Sequence, residues 1–224
     1  MSTTLAAPPQ TPPPKAAPVP GPPPTPAYPA PLFLASGPQL HRLTVKQYEQ
    51  MSAVGIFANG ERVELLNGVL VSKMSINPPH ATALGLLRHI LPPLLPADWW
   101  WRVQEPIGLD ISMPEPDMAL VRGGPRTFTT RHPHPAEIGL LIEVSHSSLA
   151  LDRGEKLQAY AANGIVEYWI VNLVDNRIEV YTQPSGPTAA PSYGSLTTYA
   201  PGQAVPLALD GAAVASVPVA DVLP

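Results

Sequence analysis

A single acid, Glu143, stands in the run Ile138 to Ser145, IGLLIEVS. The run is too short and too rich in Leu, Ile and Val to be anything but a buried strand. A carboxylate near the end of such a strand is costly to desolvate unless a cation or hydrogen-bond donor offsets the cost. The rest of the chain has to supply that partner.

The flanking segments alternate between helical and strand patterns. LTVKQYEQMSAVG reads as a first helix, with Thr44 as its cap and Val45, Tyr48 and Met51 at helical spacing. RVELLNGVLVSKM is two apolar runs joined by Asn67-Gly68, a strong hairpin signal. HATALGLLRHILPPLL predicts a second helix with Leu84, Leu87 and Leu91 on one side and a stop at Pro92-Pro93. WWWRVQEPIGLD, PDMALV and IGLLIEVS follow as strands. DRGEKLQAYAANG predicts a third helix, with Asp152 and Glu155 at capping-box spacing and Gly164 as its stop. EYWIVN and RIEVYTQ make a closing strand pair, and the rest, from Pro184, is expected to be an edge ribbon such as SLTTY and then a loose end. The expected fold class is α/β, a mixed β-sheet flanked by helices with an added N-terminal hairpin.

Composition divides the 224 residues further. The first 38 hold 14 of the 32 prolines, a composition that favours solvated polyproline II over a packed core. Residues 1–38 are therefore expected to be a disordered tail, either a spacer or a segment that docks a protein partner. Residues 39–200 are the expected folded domain and 201–224 a C-terminal extension. With no cysteine there is no disulfide, thiolate zinc site or cysteine nucleophile. A net charge of −4 leaves room only for a local basic groove. No apolar run is long enough to span a membrane, and the start MSTTLAAPPQ has no signal-peptide pattern, so a soluble, cytoplasmic protein is expected.

The chemistry concentrates at two strand ends. Asp117 opens PDMALV and Glu143 ends IGLLIEVS; side by side, two like charges call for a cation between them. Magnesium meets that need through one or two carboxylates and retained waters. Each residue also has a plainer reading. Asp117 fits a turn after Pro116, Glu143 a structural pair with Lys156, Glu64 an outward hairpin acid, His80 a surface histidine at a helix start, and Lys156 a solvated helix residue.

Pro116-Asp117 on one strand and Glu143-Val144-Ser145 on the next resemble the PD-(D/E)XK nuclease signature, with Ser145 where the motif has its lysine. Lys156, one of four lysines, lies on the following helix and can reach the same space. IEVSHSSLALDRGEKLQAYAANGIVEYWIVN is similar to the Uma-two family of restriction-endonuclease relatives in that superfamily. The likeness includes Asp152, Lys156, Tyr160, Gly164 and Glu167-Tyr168-Trp169, takes in Glu64 and His80, and spans roughly residues 42 to 183. It implies a restriction-endonuclease-like core and a Mg2+- or Mn2+-dependent endonuclease acting on DNA. Asp117, Glu143 and the carbonyl of Val144 would hold the metal, Lys156 would act on the water or phosphate, and Glu64 would complete the cluster. Arg102, Arg122, Arg153 and His80 are the candidate substrate contacts. The family's habit and the Trp99-Trp100-Trp101 strand suggest a homodimer. The competing expectation is an inactive fold relative that acts as a binding or regulatory module; a further alternative is a hydrolase of another phosphate substrate.

Overall fold

A computed structural model describes residues 41–57 and 61–224. The proline-rich tail expected over residues 1–38 lies outside them.

Thr44 starts the first helix, α1 (Val45–Ala53), through a capping box with Gln47, as its spacing predicts. Two strands follow, β1 (Val63–Leu66) and β2 (Val69–Ser72), paired antiparallel around Asn67 and Gly68. Both turn residues take positive φ, 49° and 76°, the type I′ geometry that matches strand twist and that Asn-Gly adopts at least cost. α1 packs on this hairpin through Tyr48, Leu65 and Met113.

The main sheet has six strands in the order β3-β4-β5-β6-β7-β8. They are Trp99–Val103, Met118–Arg122, Ile138–Ser145, Glu167–Asn172, Arg177–Pro184 and Tyr193–Tyr199. β5 and β6 run parallel and every other neighbouring pair antiparallel, so the sheet is mixed. All eight residues of β5 are buried, which agrees with its unbroken apolar pattern and requires cover on both faces. One face packs against Ala83, Leu84 and Leu87 of α2 (Pro78–Ile90), a helix capped by Asn77. The other lies under a helix formed by an α-turn Leu149–Leu151, a π-turn Asp152–Lys156 and further α-turns Leu157–Ala162. This is the site helix below.

Two expectations need correction. The site helix begins at Leu149, so Asp152 and Glu155 are interior residues and form no capping box; Asp152 points into the protein, and Glu155 accepts a 2.8 Å hydrogen bond from Asn67 on the hairpin turn. The segment expected to be a loose end is instead a hairpin, β9 (Ala204–Leu209) with β10 (Ala212–Pro218), closed by a helical turn Val219–Val222. Val205, Leu207, Leu209, Val217, Val219 and Val222 are buried with α2 in the main core, which removes apolar surface from water and anchors the segment.

Candidate functional site

The register Met118↔Ile142 between β4 and β5 makes Asp117 and Glu143 next in line across the two strands. Both are buried, at 8% and 3% exposure. Pro116 and Asp117 accept the Gln104 amide through their carbonyl oxygens, which fixes the chain as it enters β4. The Asp117 carboxylate accepts the Val144 amide at 2.8 Å, His80 Nε2 at 2.9 Å and Gln104 Nε2 at 3.1 Å. Burial alone would raise its pKa, but the His80 bond and charge, with the two amide donors, outweigh burial and hold the carboxyl below its ordinary value.

Lys156 reaches this pair from the site helix. Its Nζ donates to Glu143 Oε1 at 2.9 Å and lies 3.5 Å from Glu64 Oε1 and 3.8 Å from Asp152 Oδ1. Tyr160, one turn on, donates to the same Glu143 oxygen at 2.7 Å. The π-turn widens the helix at Asp152–Lys156, a feature frequent at functional sites. Asp152 and Lys156, at i,i+4 spacing, both meet β5. With the helix starting at Leu149, Lys156 lies beyond its first turn and so avoids the positive end of the helix dipole. The hairpin delivers Glu64, 2% exposed, whose second oxygen accepts the Glu115 amide at 3.0 Å. Ser145, at the position of the motif lysine, donates to Asp152 Oδ2 at 2.6 Å.

One ammonium therefore stands among three carboxylates. Desolvation pulls the Lys156 pKa down, but Glu143, Glu64 and Asp152 outweigh it and keep the group charged. Burial drives Glu143 up; Lys156 opposes that, while Asp152, Asp117 and Glu64 add to it, leaving the pKa at about 8. Burial likewise raises Asp152. The site is short of positive charge.

These groups line a cleft of about 590 Å3, counted out to its open mouth, together with Arg62, Lys73, His80, His146, Ser147 and Ser148. All its acids are hard oxygen donors that suit Mg2+ or Mn2+, and the unpartnered Asp152 Oδ1 adds to the charge excess a cation would offset. Among the described residues no three His, Asp or Glu side chains converge on one ligand point. A cation here would rest on Asp117 and Glu143 with backbone and water oxygens, a set that fits magnesium's habit of keeping waters.

The structure thus brings Glu64, His80, Asp117, Glu143, Val144 and Lys156 together. It places the three arginines proposed as phosphate contacts elsewhere. Arg102 pairs with Glu105 at 2.7 Å, Arg122 pairs with Asp98 and Asp210 at the far end of β4, and Arg153 is held by Glu179 and Asp175. None lines the cleft. Gln104, Arg62 and Lys73 line the cleft without any local sequence pattern, and Asp152, at i,i+4 spacing to Lys156, is a cleft residue and not a cap.

The family model for Uma2, described as a putative restriction endonuclease, matches residues 45–215. Among solved structures, the crystal structure of a putative nuclease belonging to DUF820 from Anabaena variabilis ATCC 29413 is similar, with 12% identity and a TM-score of 0.50 over 73% of this chain and 90% of that one. At that identity the likeness concerns the fold. No match was found among curated proteins.

Proposed function

We propose that this chain, which belongs to the Uma2 family of putative restriction endonucleases, is a metal-dependent endonuclease that hydrolyses phosphodiester bonds in DNA. The observation that carries the reading is the meeting of Asp117, Glu143 and Lys156 in one cleft, with the ammonium 2.9 Å from Glu143 although the lysine comes from a helix and not from the strand. Asp117, Glu143 and the Val144 carbonyl would hold Mg2+ or Mn2+. When bound, the cation acts as a Lewis acid on the phosphate and lowers the pKa of a coordinated water. His80 and Gln104 fix the Asp117 carboxylate through hydrogen bonds. Lys156, kept charged by its acids, orients the attacking water or stabilises charge on a phosphate oxygen. Glu64 holds the ammonium from the hairpin side. Arg62 and His146 line the same cleft and are the better phosphate contacts; Lys73 is paired with Glu115 at 2.6 Å.

The test is a cleavage assay with Mg2+ and with Mn2+ on single- and double-stranded DNA, beside Asp117→Asn, which keeps an acceptor for the Val144 amide. Cleavage that needs the cation and disappears in the variant is the expected result. No cleavage of either substrate with either ion overturns the reading.

One observation favours the second reading, an inactive relative that binds a partner: Arg102, Arg122 and Arg153 are all engaged in ion pairs, which removes these three from the cations open to a polyanion. Mn2+ separates the two, since a ligand of the native state raises the melting temperature and an inactive module without the ion would show no shift. A homodimer is also proposed. β3 is an edge strand of the sheet, and light scattering that reports a monomer removes the idea. Among the described residues no helix is long and apolar enough to cross a membrane.

A further inference from the structure

Asp152 carries a buried carboxylate oxygen that makes no well-formed hydrogen bond among the described residues. The residue is 1% exposed, its Oδ2 accepts the Ser145 hydroxyl, and its Oδ1 is buried with no partner in hydrogen-bond geometry among the described residues, although the Ser148 hydroxyl stands near enough to the carboxyl to help lower its pKa. A bare buried carboxylate oxygen is costly, and native structures hold few of them. The neighbouring cation is Lys156, whose Nζ lies 3.8 Å from Oδ1 while it donates to Glu143 at 2.9 Å. A shift of about 1 Å would turn that contact into a hydrogen bond. Two bonds hold Asp152 still. The Ser145 hydroxyl fixes the carboxylate, and the Tyr168 hydroxyl donates to the Asp152 carbonyl oxygen at 3.1 Å and so steadies the π-turn.

We propose that Asp152 Oδ1 is a second seat for the Lys156 ammonium, taken when a divalent cation occupies Glu143. The proposal rests on the metal-binding part of the reading above. An ammonium and a divalent cation repel each other, so the lysine must yield part of its hold on Glu143 as the cation arrives. Glu64 Oε1, at 3.5 Å, and Asp152 Oδ1, at 3.8 Å, are the carboxylate oxygens near Nζ besides those of Glu143, and with them the ammonium stays in the cleft and remains charged. Asp152 is in this sense a positioning residue. It acts on the reaction through Lys156.

The experiment is calorimetric titration of Mn2+ into the full chain, for the wild type, Asp152→Asn, Lys156→Met and the double variant. Asn keeps the shape of the carboxylate and an acceptor for Ser145. Asp152→Asn is expected to weaken Mn2+ binding about tenfold when Lys156 is present and less than about twofold in the Lys156→Met background, because the loss operates through the ammonium. An equal loss in both backgrounds means that Asp152 contributes only its charge, and overturns the proposal; so does an unchanged affinity. Should Asp152→Asn fail to fold, Ser145→Ala decides instead. It frees the carboxylate to rotate and is expected to weaken Mn2+ about threefold, again only with Lys156 present; no loss, or the same loss without Lys156, overturns the proposal. Cleavage does not enter these readouts. The coupled loss in a protein that cuts no DNA supports the second seat while the nuclease reading fails, and no Mn2+ binding by the wild type overturns both.

Discussion

Glu143 and Glu179 lie in one row across the sheet, each in register with Ile170, and so share a face about 10 Å apart. Both are buried, and one π-turn supplies a cation to each, Lys156 to Glu143 and Arg153 to Glu179. Their surroundings then diverge. Burial alone would raise Glu179, but it accepts bonds from Arg153, from Asn172 at 2.7 Å, from Arg177 at 3.1 Å and from Tyr181 at 3.0 Å, and these hold its pKa at about 2. Burial raises Glu143 to about 8 because Lys156 cannot offset burial and the neighbouring Asp152, Asp117 and Glu64 together. A carboxylate with donors to spare fastens helix to sheet. One left short of positive charge has capacity for a further cation, and perturbed acids of that kind gather at functional sites.

The strongest way to break the contrast is to remove the cation on the Glu143 side. Lys156→Ala is expected to lower turnover by about a thousandfold, comparable with the loss of one strong transition-state donor, while still binding Mn2+. A fully active variant would end the assignment of Lys156. Asp117→Ala differs from it in kind. Two acids alone in a cleft suggest that removing either relieves repulsion, but Asp117 accepts from Val144, His80 and Gln104, so its loss strands three donors and should cost about 1–3 kcal/mol of stability. Urea unfolding of the metal-free variant measures this, and an unchanged midpoint would place those donors on water instead.

On the other side of the row the contrast becomes a pH dependence. Glu179 titrates near 2 in the fold against an ordinary 4.5, so its stabilisation is present above about pH 4.5 and is lost as pH falls toward 2. Glu179→Gln should therefore cost about 2 kcal/mol at pH 7, with the gap from wild type closing between pH 4.5 and 2. A gap that is constant with pH would mean that shape and not charge sets the cost. Glu143 has the opposite sign. With its pKa raised to about 8, its contribution is full below pH 4.5 and declines as pH rises through 8. Glu143→Gln should gain on the wild type as pH rises from 4.5 through 8 in chelator. A wild type that gains on the variant instead would make Glu143 a structural acid like Glu179.

Much of this arrangement is legible in the residues. Asn67-Gly68 marks a turn with φ of 49° and 76°, and the strand-end positions of Asp117 and Glu143 anticipate their meeting. The same turn chemistry recurs at Asp210-Gly211, with φ of 51° and 75°, beside alternating Val205, Leu207 and Leu209. The Ala and Pro around it mask that signal and suggest a loose end. The three arginines lie outside the cleft for a different reason: charge type is visible along a chain, but the carboxylates that occupy Arg122 or Arg153 come from a turn and a strand far away in sequence. The π-turn has no sequence mark at all. Within it Asp152 meets the Ser145 hydroxyl and Lys156 the Glu143 carboxylate, both on β5.

The smallest expected effect is also the most specific. Ser145 stands two residues after Glu143 on the same strand, so both side chains project to the face that Lys156 and Asp152 occupy. A lysine at 145 would enter the same acidic cleft from the strand, as in the usual motif. Ser145→Lys is therefore expected to restore part of the activity lost in Lys156→Ala, to within about a hundredfold of wild type. The recovery is limited because Ser145 is fully buried and a larger side chain there strains the packing by about 1–3 kcal/mol. The space vacated at 156 and the negative charge of Asp152 both favour the newcomer. In the wild-type background the same substitution should lower activity, since two ammonium groups would then compete for one set of carboxylates. Single-turnover cleavage with Mn2+ separates the cases. A double variant no more active than Lys156→Ala, yet folded and able to bind Mn2+, would show that this site needs its cation to come from the helix.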